Sequence, residues 1–205
     1  VGLKPRRQQD IIERMKIAAN AGVVAFTIDL DSAGRAARAT KGQTVEPKTP
    51  EQLRELVKAS PLPLFFKGIL TTDEALLCLN AGAAGIVVSN HGGRVLADEP
   101  GTAEVLPAIA DAIHGRCMIL VDGCVKRGTD VEKYIALGAD ACLAGRHFVR
   151  GAHGALADGV ELFANTIRNE LAVAMTLTGA AKVKDINRKM IRMTTPPPLA
   201  FGVPA

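Results

Sequence analysis

Five short runs of apolar and β-branched residues recur along the chain, and each is followed by polar or glycine-rich residues and then by a helical pattern. These runs predict strands at Val23–Asp29, Leu62–Gly68, Ala84–Asn90, Met118–Gly123 and Ala141–Arg146. Apolar residues at helical spacing predict helices at Gln8–Ala21, Thr49–Ala59, Thr72–Ala81, Ala103–Ile113, Asp130–Leu137 and Ala157–Thr178. We therefore expect an α/β protein built from repeated strand–helix units.

Such units close either as an open, doubly wound sheet or as a barrel, and the polar residues at the strand ends favour the barrel. An open sheet concentrates its ligand residues at one switch point, whereas here all five strand ends carry candidates: Thr27 and Asp29, Lys67, Ser89 to Arg94, Asp122, and Arg146. We predict an incomplete (β/α)8 TIM barrel, with five C-terminal βα units over residues 1–193 and about three N-terminal units missing. Residues 194–205 form a proline-rich tail.

Composition excludes several classes of protein. The net charge of +4 comes mostly from scattered basic residues without aromatic platforms, so we expect a solvated face and not a nucleic-acid surface. The four cysteines lack metal-ligand spacing, which argues against a zinc site and favours a reduced, cytoplasmic protein. No apolar run reaches the roughly 18 residues of a membrane span. We expect neither a membrane nor a metal partner.

The run Ser89-Asn90-His91-Gly92-Gly93-Arg94 is the sharpest chemical feature of the sequence. A lone histidine at a strand end is often structural, but here two glycines allow His91 and Arg94 to face one mouth. Such a pair combines a titratable base with a fork-shaped carboxylate receptor. Oxidation at a carbon next to a carboxylate needs both groups.

Two further strand ends carry glycines together with cations, as barrel phosphate sites do. One is the run from Val121 to Gly128, with Asp122, Gly123 and Lys126, and the other contains Gly145 and Arg146. Helix-capping glycines beside surface cations are the alternative explanation for either run alone. Together, at consecutive strand ends, they predict a phosphate site.

Lys67 and Asp29 have competing interpretations. Lys67 ends an apolar strand, so its ammonium either extends to solvent or forms a structural pair, or it stabilises negative charge on a cofactor ring. Asp29 either orients a histidine and stabilises positive charge on it, or caps the N-terminus of a helix. Asp31 is a second candidate for the capping role.

These motifs resemble the FMN-dependent α-hydroxy acid oxidase and dehydrogenase family, which includes glycolate oxidase and lactate oxidase. SNHGGR, DGCVKRGTDV, AGR, FKG and TID appear in the order and spacing of that family, over roughly residues 10 to 190. The resemblance implies FMN as the cofactor and oxidation of an L-2-hydroxy acid, such as lactate or glycolate, to the 2-oxo acid.

The resemblance also assigns roles to individual residues. His91 would be the base, Arg94 the carboxylate anchor, and Asp29 the partner of His91, while Lys67 would contact the N1 and C2-carbonyl edge of the flavin. Thr27 and Ser89 would contact the isoalloxazine ring. The ribityl and phosphate portion would be held by Asp122, Gly123, Lys126, Gly145 and Arg146.

The sequence departs from the family at several points. Cys124 replaces a glycine, Lys126 replaces a phosphate-binding arginine, and Gly34-Arg35-Ala36-Ala37 stands where related enzymes have an arginine pair. Two alternatives stay open: another FMN barrel, such as type 2 isopentenyl diphosphate isomerase, or an inactive partial barrel. Because a five-stranded wall leaves open edges, we expect a homo-oligomer or association with the missing N-terminal part.

Overall fold

The strands of the molecule form one sheet in which spatial order follows chain order. The computed structural model describes residues 1–34 and 44–194. Its strands are β1 (Gly2–Leu3), β2 (Phe26–Asp29), β3 (Leu64–Ile69), β4 (Gly85–Val88), β5 (Met118–Val121) and β6 (Ala141–Cys142), and every neighbouring pair is parallel. The order contains no reversal, which confirms the barrel-type arrangement over a doubly wound sheet.

The sheet has one strand more than the sequence pattern predicts. β1 is only two residues long, too short for a periodic signal, yet Gly2 and Leu3 pair in register with Thr27 and Ile28 of β2. The other strands are mostly shorter than predicted at their carboxyl ends. β4, for example, ends at Val88, because the following Ser89 and Asn90 turn into the site loop.

The helices follow the strands as expected, with one large difference. They are α1 (Gln8–Asn20), α2 (Pro50–Ala59), α3 (Thr72–Asn80), α4 (Thr102–Ile113), α5 (Gly128–Ala136) and α6 (Arg146–Thr178), accompanied by 3-10 turns at Leu30–Gly34, Val183–Asp185 and Arg188–Met190. α6 begins at Arg146 and not at Ala157, and it consists of two helices joined across a kink at Ala155 and Leu156. Arg35, Ala36 and Ala37 and tail residues 195–205 lie outside the described residues.

The core lies between the sheet and its helices. Phe26, Ile28, Phe66, Ile86 and Ile119 on the strands are fully buried, as are their helical neighbours Ile11, Met15, Leu56 and Leu106. Covered parallel strands are apolar for this reason, and burial of side chains of this size stabilises the fold by about 1.5–3 kcal/mol each. Because every neighbouring pair of strands is parallel, the carboxyl ends of the strands lie at the same edge of the sheet. In the described ranges, no helix is both long and apolar enough to cross a membrane.

Candidate active site

The carboxyl ends of the strands surround a cavity of about 500 Å³. Nine of the predicted site residues line it: Asp29, Lys67, His91, Arg94, Asp122, Gly123, Lys126, Gly145 and Arg146. The other two, Thr27 and Ser89, lie at the same strand ends but are not among its lining residues. The two glycine-rich loops after β5 and β6 thus converge on the cleft that contains His91.

The loop after β4 is built from left-handed residues, which turn the chain sharply back on itself. His91, Gly92 and Gly93 have φ angles of 54°, 70° and 67°. The His91 amide donates to Ser89 Oγ at 3.0 Å, and the Gly92 amide donates to Asn90 Oδ1 at 3.0 Å. Since a non-glycine residue adopts this conformation only at a cost of about 1–2 kcal/mol, its surroundings must hold His91 in place.

The partner of His91 is Asp31, and the prediction that Asp29 pairs with His91 is wrong in this structure. His91 Nδ1 lies 2.9 Å from Asp31 Oδ2, and both side chains are 8% exposed. Asp29 instead forms an ion pair with Lys4. Sequence reasoning considered Asp31 only as a helix cap. The signal it passed over was a second carboxylate two residues beyond the strand end.

Lys67 is held at the end of β3 by two neighbours. Its Nζ donates to Ser89 Oγ at 2.5 Å and lies 2.9 Å from Asp122 Oδ2. Ser89 Oγ therefore accepts hydrogen bonds from both the Lys67 ammonium and the His91 amide, which couples these two residues. Asp122 Oδ1 is buried and has no hydrogen-bond partner among the described residues. It is available to a hydroxyl group of a ligand.

Arg94 presents an uncommitted guanidinium to the cleft. Its Nε donates to the His91 carbonyl at 2.9 Å, which orients the group, and the residue is exposed. Within the described residues Arg94 has no acidic partner, so the terminal nitrogens can form paired hydrogen bonds with a carboxylate.

The loop after β5 is fixed by two residues that sequence reasoning missed. Thr102 Oγ1 donates to the Asp122 carbonyl at 2.6 Å, and the Tyr134 hydroxyl donates to the Gly123 carbonyl at 2.7 Å. Burial raises the pKa of Tyr134, so its hydroxyl stays protonated as a donor. Tyr134 is the single tyrosine of the chain. Its place in a helix gave no indication of this contact.

The far end of the cleft is cationic. α6 begins at Arg146 after Gly145, whose backbone has no side-chain cap, and Lys126, His147 and Arg150 line the cleft beside it. Among residues 1–34 and 44–194, none of these side chains forms a salt bridge. A helix N-terminus with unpaired cations binds anions, so this end fits the phosphate of a nucleotide cofactor.

The structure thus offers a fit for FMN on three observations of its own: the cationic helix end, the orphaned buried carboxylate oxygen of Asp122 and the anchored Lys67 ammonium. A β-carbon at Gly92 would come within 3.1 Å of the Arg146 guanidinium, and the left-handed φ of +70° also favours glycine at this point of the cleft. The pocket therefore combines anion, hydroxyl and carboxylate receptors along one wall.

Comparison with known proteins agrees with this geometry. The family model described as FMN-dependent dehydrogenase matches residues 3–193. An L-lactate oxidase of Lactobacillus jensenii is 42% identical over 154 residues, which are 75% of this chain and 37% of that protein. An L-lactate dehydrogenase of Yersinia pestis is 48% identical over 132 residues, which are 64% of this chain and 35% of that protein.

Solved structures show the same fold. Mandelate oxidase, crystallised with 3,3-difluoro-2-hydroxy-3-phenylpropionic acid, superposes with a TM-score of 0.83 at 34% identity, covering 91% of this chain and 61% of that one. The chain spans less than two fifths of the length of the curated relatives that it matches. Its sheet is part of a (β/α)8 barrel, and the chain belongs to the FMN-dependent dehydrogenase family.

Proposed function

We propose that this chain carries the catalytic half of an FMN-dependent enzyme that oxidises an L-2-hydroxy acid to the 2-oxo acid. The relatives named lactate oxidase and lactate dehydrogenase support this substrate class. The observation on which the proposal depends most is the His91–Asp31 pair beside Arg94, in the same cleft as the cationic end of α6.

The residues divide the chemistry between them. Arg94 binds the substrate carboxylate with paired hydrogen bonds and places the hydroxyl-bearing carbon beside His91. His91 Nε2 has no hydrogen-bond partner in the described part of the chain, while Nδ1 contacts Asp31, so Nε2 takes the hydroxyl or α proton. The Asp31 carboxylate then stabilises the imidazolium that forms.

Asp122, Lys126 and Arg146, with the first amides of α6, would hold the ribityl chain and phosphate of FMN, and Lys67 would face its ring. When bound, FMN supplies the two-electron acceptor for the oxidation. The Lys67 ammonium, fixed by Ser89 and Asp122, offsets negative charge that develops next to it. Thr27 is proposed to contact the ring from β2.

The partners and compartment are also proposals. The open edges of β1 and β6 suit either a further copy of the chain or the remainder of a barrel. All four cysteines are free thiols, which supports a reducing compartment such as the cytoplasm.

The test is to add L-lactate to the FMN-loaded protein without oxygen and to measure the rate of flavin reduction from the loss of flavin absorbance. We expect His91→Gln to slow reduction by about 10²–10⁴-fold, because the base is lost. The control is His114→Gln, which changes an exposed histidine at the end of α4 and should leave the rate unchanged. A protein that binds no flavin would support the inactive-barrel alternative. Equal rates for His91→Gln and wild type would contradict the assignment of the base.

A further inference from the structure

We propose that the buried hydroxyls of Thr102 and Tyr134 orient two amides of the loop after β5 so that these amides bind the phosphate of the cofactor. The amides are those of Gly123 and Cys124. The choice of FMN as the ligand rests on the function proposed above, whereas the orientation of the amides does not. Thr102 and Tyr134 are positioning residues, because they act on the phosphate only through the loop.

The two hydroxyls meet behind the loop, on the side away from the cleft. Thr102 is the first residue of α4 and Tyr134 lies within α5, and the two residues are 3% and 8% exposed. Their hydroxyl oxygens lie 2.9 Å apart. Gly123 and Cys124 line the cleft, whereas Thr102 and Tyr134 are not among its lining residues. The loop therefore separates the two hydroxyls from the space in which a ligand would bind.

Each hydroxyl is the donor for one carbonyl of the loop. Thr102 Oγ1 donates to the Asp122 carbonyl at 2.6 Å, and the Tyr134 hydroxyl donates to the Gly123 carbonyl at 2.7 Å. In the part of the chain that the structure describes, neither carbonyl accepts a hydrogen bond from any other group. Because an unpaired carbonyl away from water is destabilising, the two hydroxyls determine the direction in which both carbonyls point.

The direction of the carbonyls also sets the direction of the amides that follow them. A trans peptide group is planar and its N–H points opposite to its C=O, and the described residues contain no cis peptide bond. The two carbonyls point towards the hydroxyls, so the amides of Gly123 and Cys124 point to the other side of the loop, where the cleft lies. Within residues 1–34 and 44–194, neither amide donates a hydrogen bond. Both are therefore available to a ligand.

The backbone of the loop allows two consecutive amides to face the same side. Successive amides of an extended strand point to opposite sides, but Gly123 and Cys124 have φ angles of 120° and 53°. Successive N–H groups in a turn of this kind form a concave anion site. A β-carbon at Gly123 would come within 2.4 Å of Thr102 Oγ1, so the loop packs directly against the hydroxyl pair. Cys124 is left-handed without being glycine, and such a residue needs surroundings that hold it.

The charge of the cleft favours a phosphate as the group that these amides bind. Lys126 and Arg146 line the same cleft, and neither forms a salt bridge among the described residues. A phosphate carries up to about two negative charges and three acceptor oxygens, so it can accept from both amides and from a cation at once. A carboxylate has only two oxygens and one charge.

The first test follows the backbone amides of the protein without flavin, by ¹H–¹⁵N NMR, while inorganic phosphate is added. We expect the signals of Gly123 and Cys124 to move in the wild type. Tyr134→Phe removes the donor of the Gly123 carbonyl, so it should reduce the response of Cys124 more. Thr102→Val removes the donor of the Asp122 carbonyl, so it should reduce the response of Gly123 more. Signals that do not move in the wild type, or that move equally in all three proteins, would overturn the inference.

The second test compares the Kd of FMN with that of riboflavin, which lacks the phosphate. Tyr134→Phe and Thr102→Val should each raise the Kd of FMN about tenfold and that of riboflavin less than about twofold, since only the phosphate contacts the amides. A merely structural role would change both constants by the same factor. Thr102→Ser keeps a hydroxyl and should bind FMN nearly as the wild type does. Thr176→Val removes an exposed hydroxyl that donates to a carbonyl of α6, and it is the matched control.

The two tests separate this inference from the proposed function. If the protein responds to phosphate as expected but binds no flavin, the proposed function fails and the inference about the amides stands. If it binds FMN equally well as the wild type and as both variants, the inference fails and the proposed function stands. The two variants remove their hydroxyls independently, so either one decides the question if the other does not fold.

Discussion

The Lys67 ammonium lies 2.9 Å from Asp122 Oδ2, which connects the end of β3 to the end of β5 across the intervening strand. Ser89, at the end of that intervening strand, accepts a hydrogen bond from the same ammonium at 2.5 Å. A lysine side chain would otherwise sample many rotamers, and these contacts remove most of that freedom. The Lys67 ammonium is thus fixed in position on one wall of the cleft.

Lys67→Met should weaken FMN binding by about 10- to 100-fold, because it removes a charge-assisted contact and leaves the Asp122 carboxylate unpaired. Flavin fluorescence titration measures this Kd. Lys58→Met, at the exposed end of α2, is the matched control and should bind FMN as the wild type does. Normal FMN affinity and normal flavin reduction in Lys67→Met would remove Lys67 from the site.

Arg94→Lys should preserve the fold and weaken binding of 2-hydroxy acids by about tenfold or more, because an ammonium cannot form the paired bonds of a guanidinium. The Kd for L-lactate, from the concentration dependence of flavin reduction, reports the change. Arg116→Lys makes the same substitution at an exposed position after α4 and should have no effect. Unchanged lactate affinity in Arg94→Lys would refute its role as the anchor.

Arg146→Gln should lower the affinity for FMN by about tenfold while leaving riboflavin affinity nearly unchanged. The reason is that riboflavin lacks the phosphate that the α6 terminus and its cations would bind. Parallel titrations of both flavins give the two constants. If the variant weakened both flavins equally, the anion site would have to lie elsewhere in the cleft.

The four thiols should differ sharply in their reaction with iodoacetamide. Burial raises the pKa of Cys78 and of Cys142 to about 12 in each case, so at pH 8 only about one in 10⁴ of either group is thiolate. Their rates should rise about tenfold per pH unit above pH 8. Cys117, whose pKa burial also raises, is half-buried, whereas Cys124 is exposed at the cleft and should react first. Peptide mapping by mass spectrometry quantifies each site, and faster labelling of Cys78 than of Cys124 would contradict the structure.

The loop after β5 predicts opposite outcomes for two neighbouring substitutions. Gly123 has φ +120°, and a β-carbon there would collide with the Thr102 hydroxyl, so Gly123→Ala should lower the free energy of unfolding by about 2 kcal/mol or more. Cys124 has φ +53° without being glycine, so Cys124→Gly should be neutral or stabilising by up to about 1 kcal/mol. Urea unfolding curves of both variants measure the difference. A stabilising Gly123→Ala would show that the loop is not held as described.

The sequence pattern was sufficient for the main strands because covered parallel strands are continuous apolar runs, as Gly85–Val88 illustrates. The pattern also predicted the position of the cleft, because residues that directly follow parallel strands lie at one edge of the sheet. It did not reveal β1, because two residues cannot display a period. It misplaced the start of α6, because Gly151, Gly154 and Gly159 weaken the helical signal. The backbones of Gly151 and Gly159, one in each half of α6, pack against each other.

The His91 partner was beyond local reasoning for a different reason. Asp29 and Asp31 carry the same carboxylate and lie two residues apart, so the local sequence does not distinguish them. In the structure Asp31 Oδ2 lies 2.9 Å from His91 Nδ1, whereas Asp29 forms an ion pair with Lys4. This difference depends on the 3-10 turn after β2 and on the packing of neighbouring strands, which the local sequence does not show.

The consecutive order of the six strands also bears on how the chain acquires its structure. Each strand pairs with the strand before it in the chain. Adding a strand therefore closes only the segment that contains the intervening helix, and the entropic cost of closing such a segment increases slowly with its length. A nascent chain can therefore extend the sheet as each strand emerges from the ribosome, without waiting for a distant segment. The order of the strands thus allows the sheet to form in the direction of synthesis.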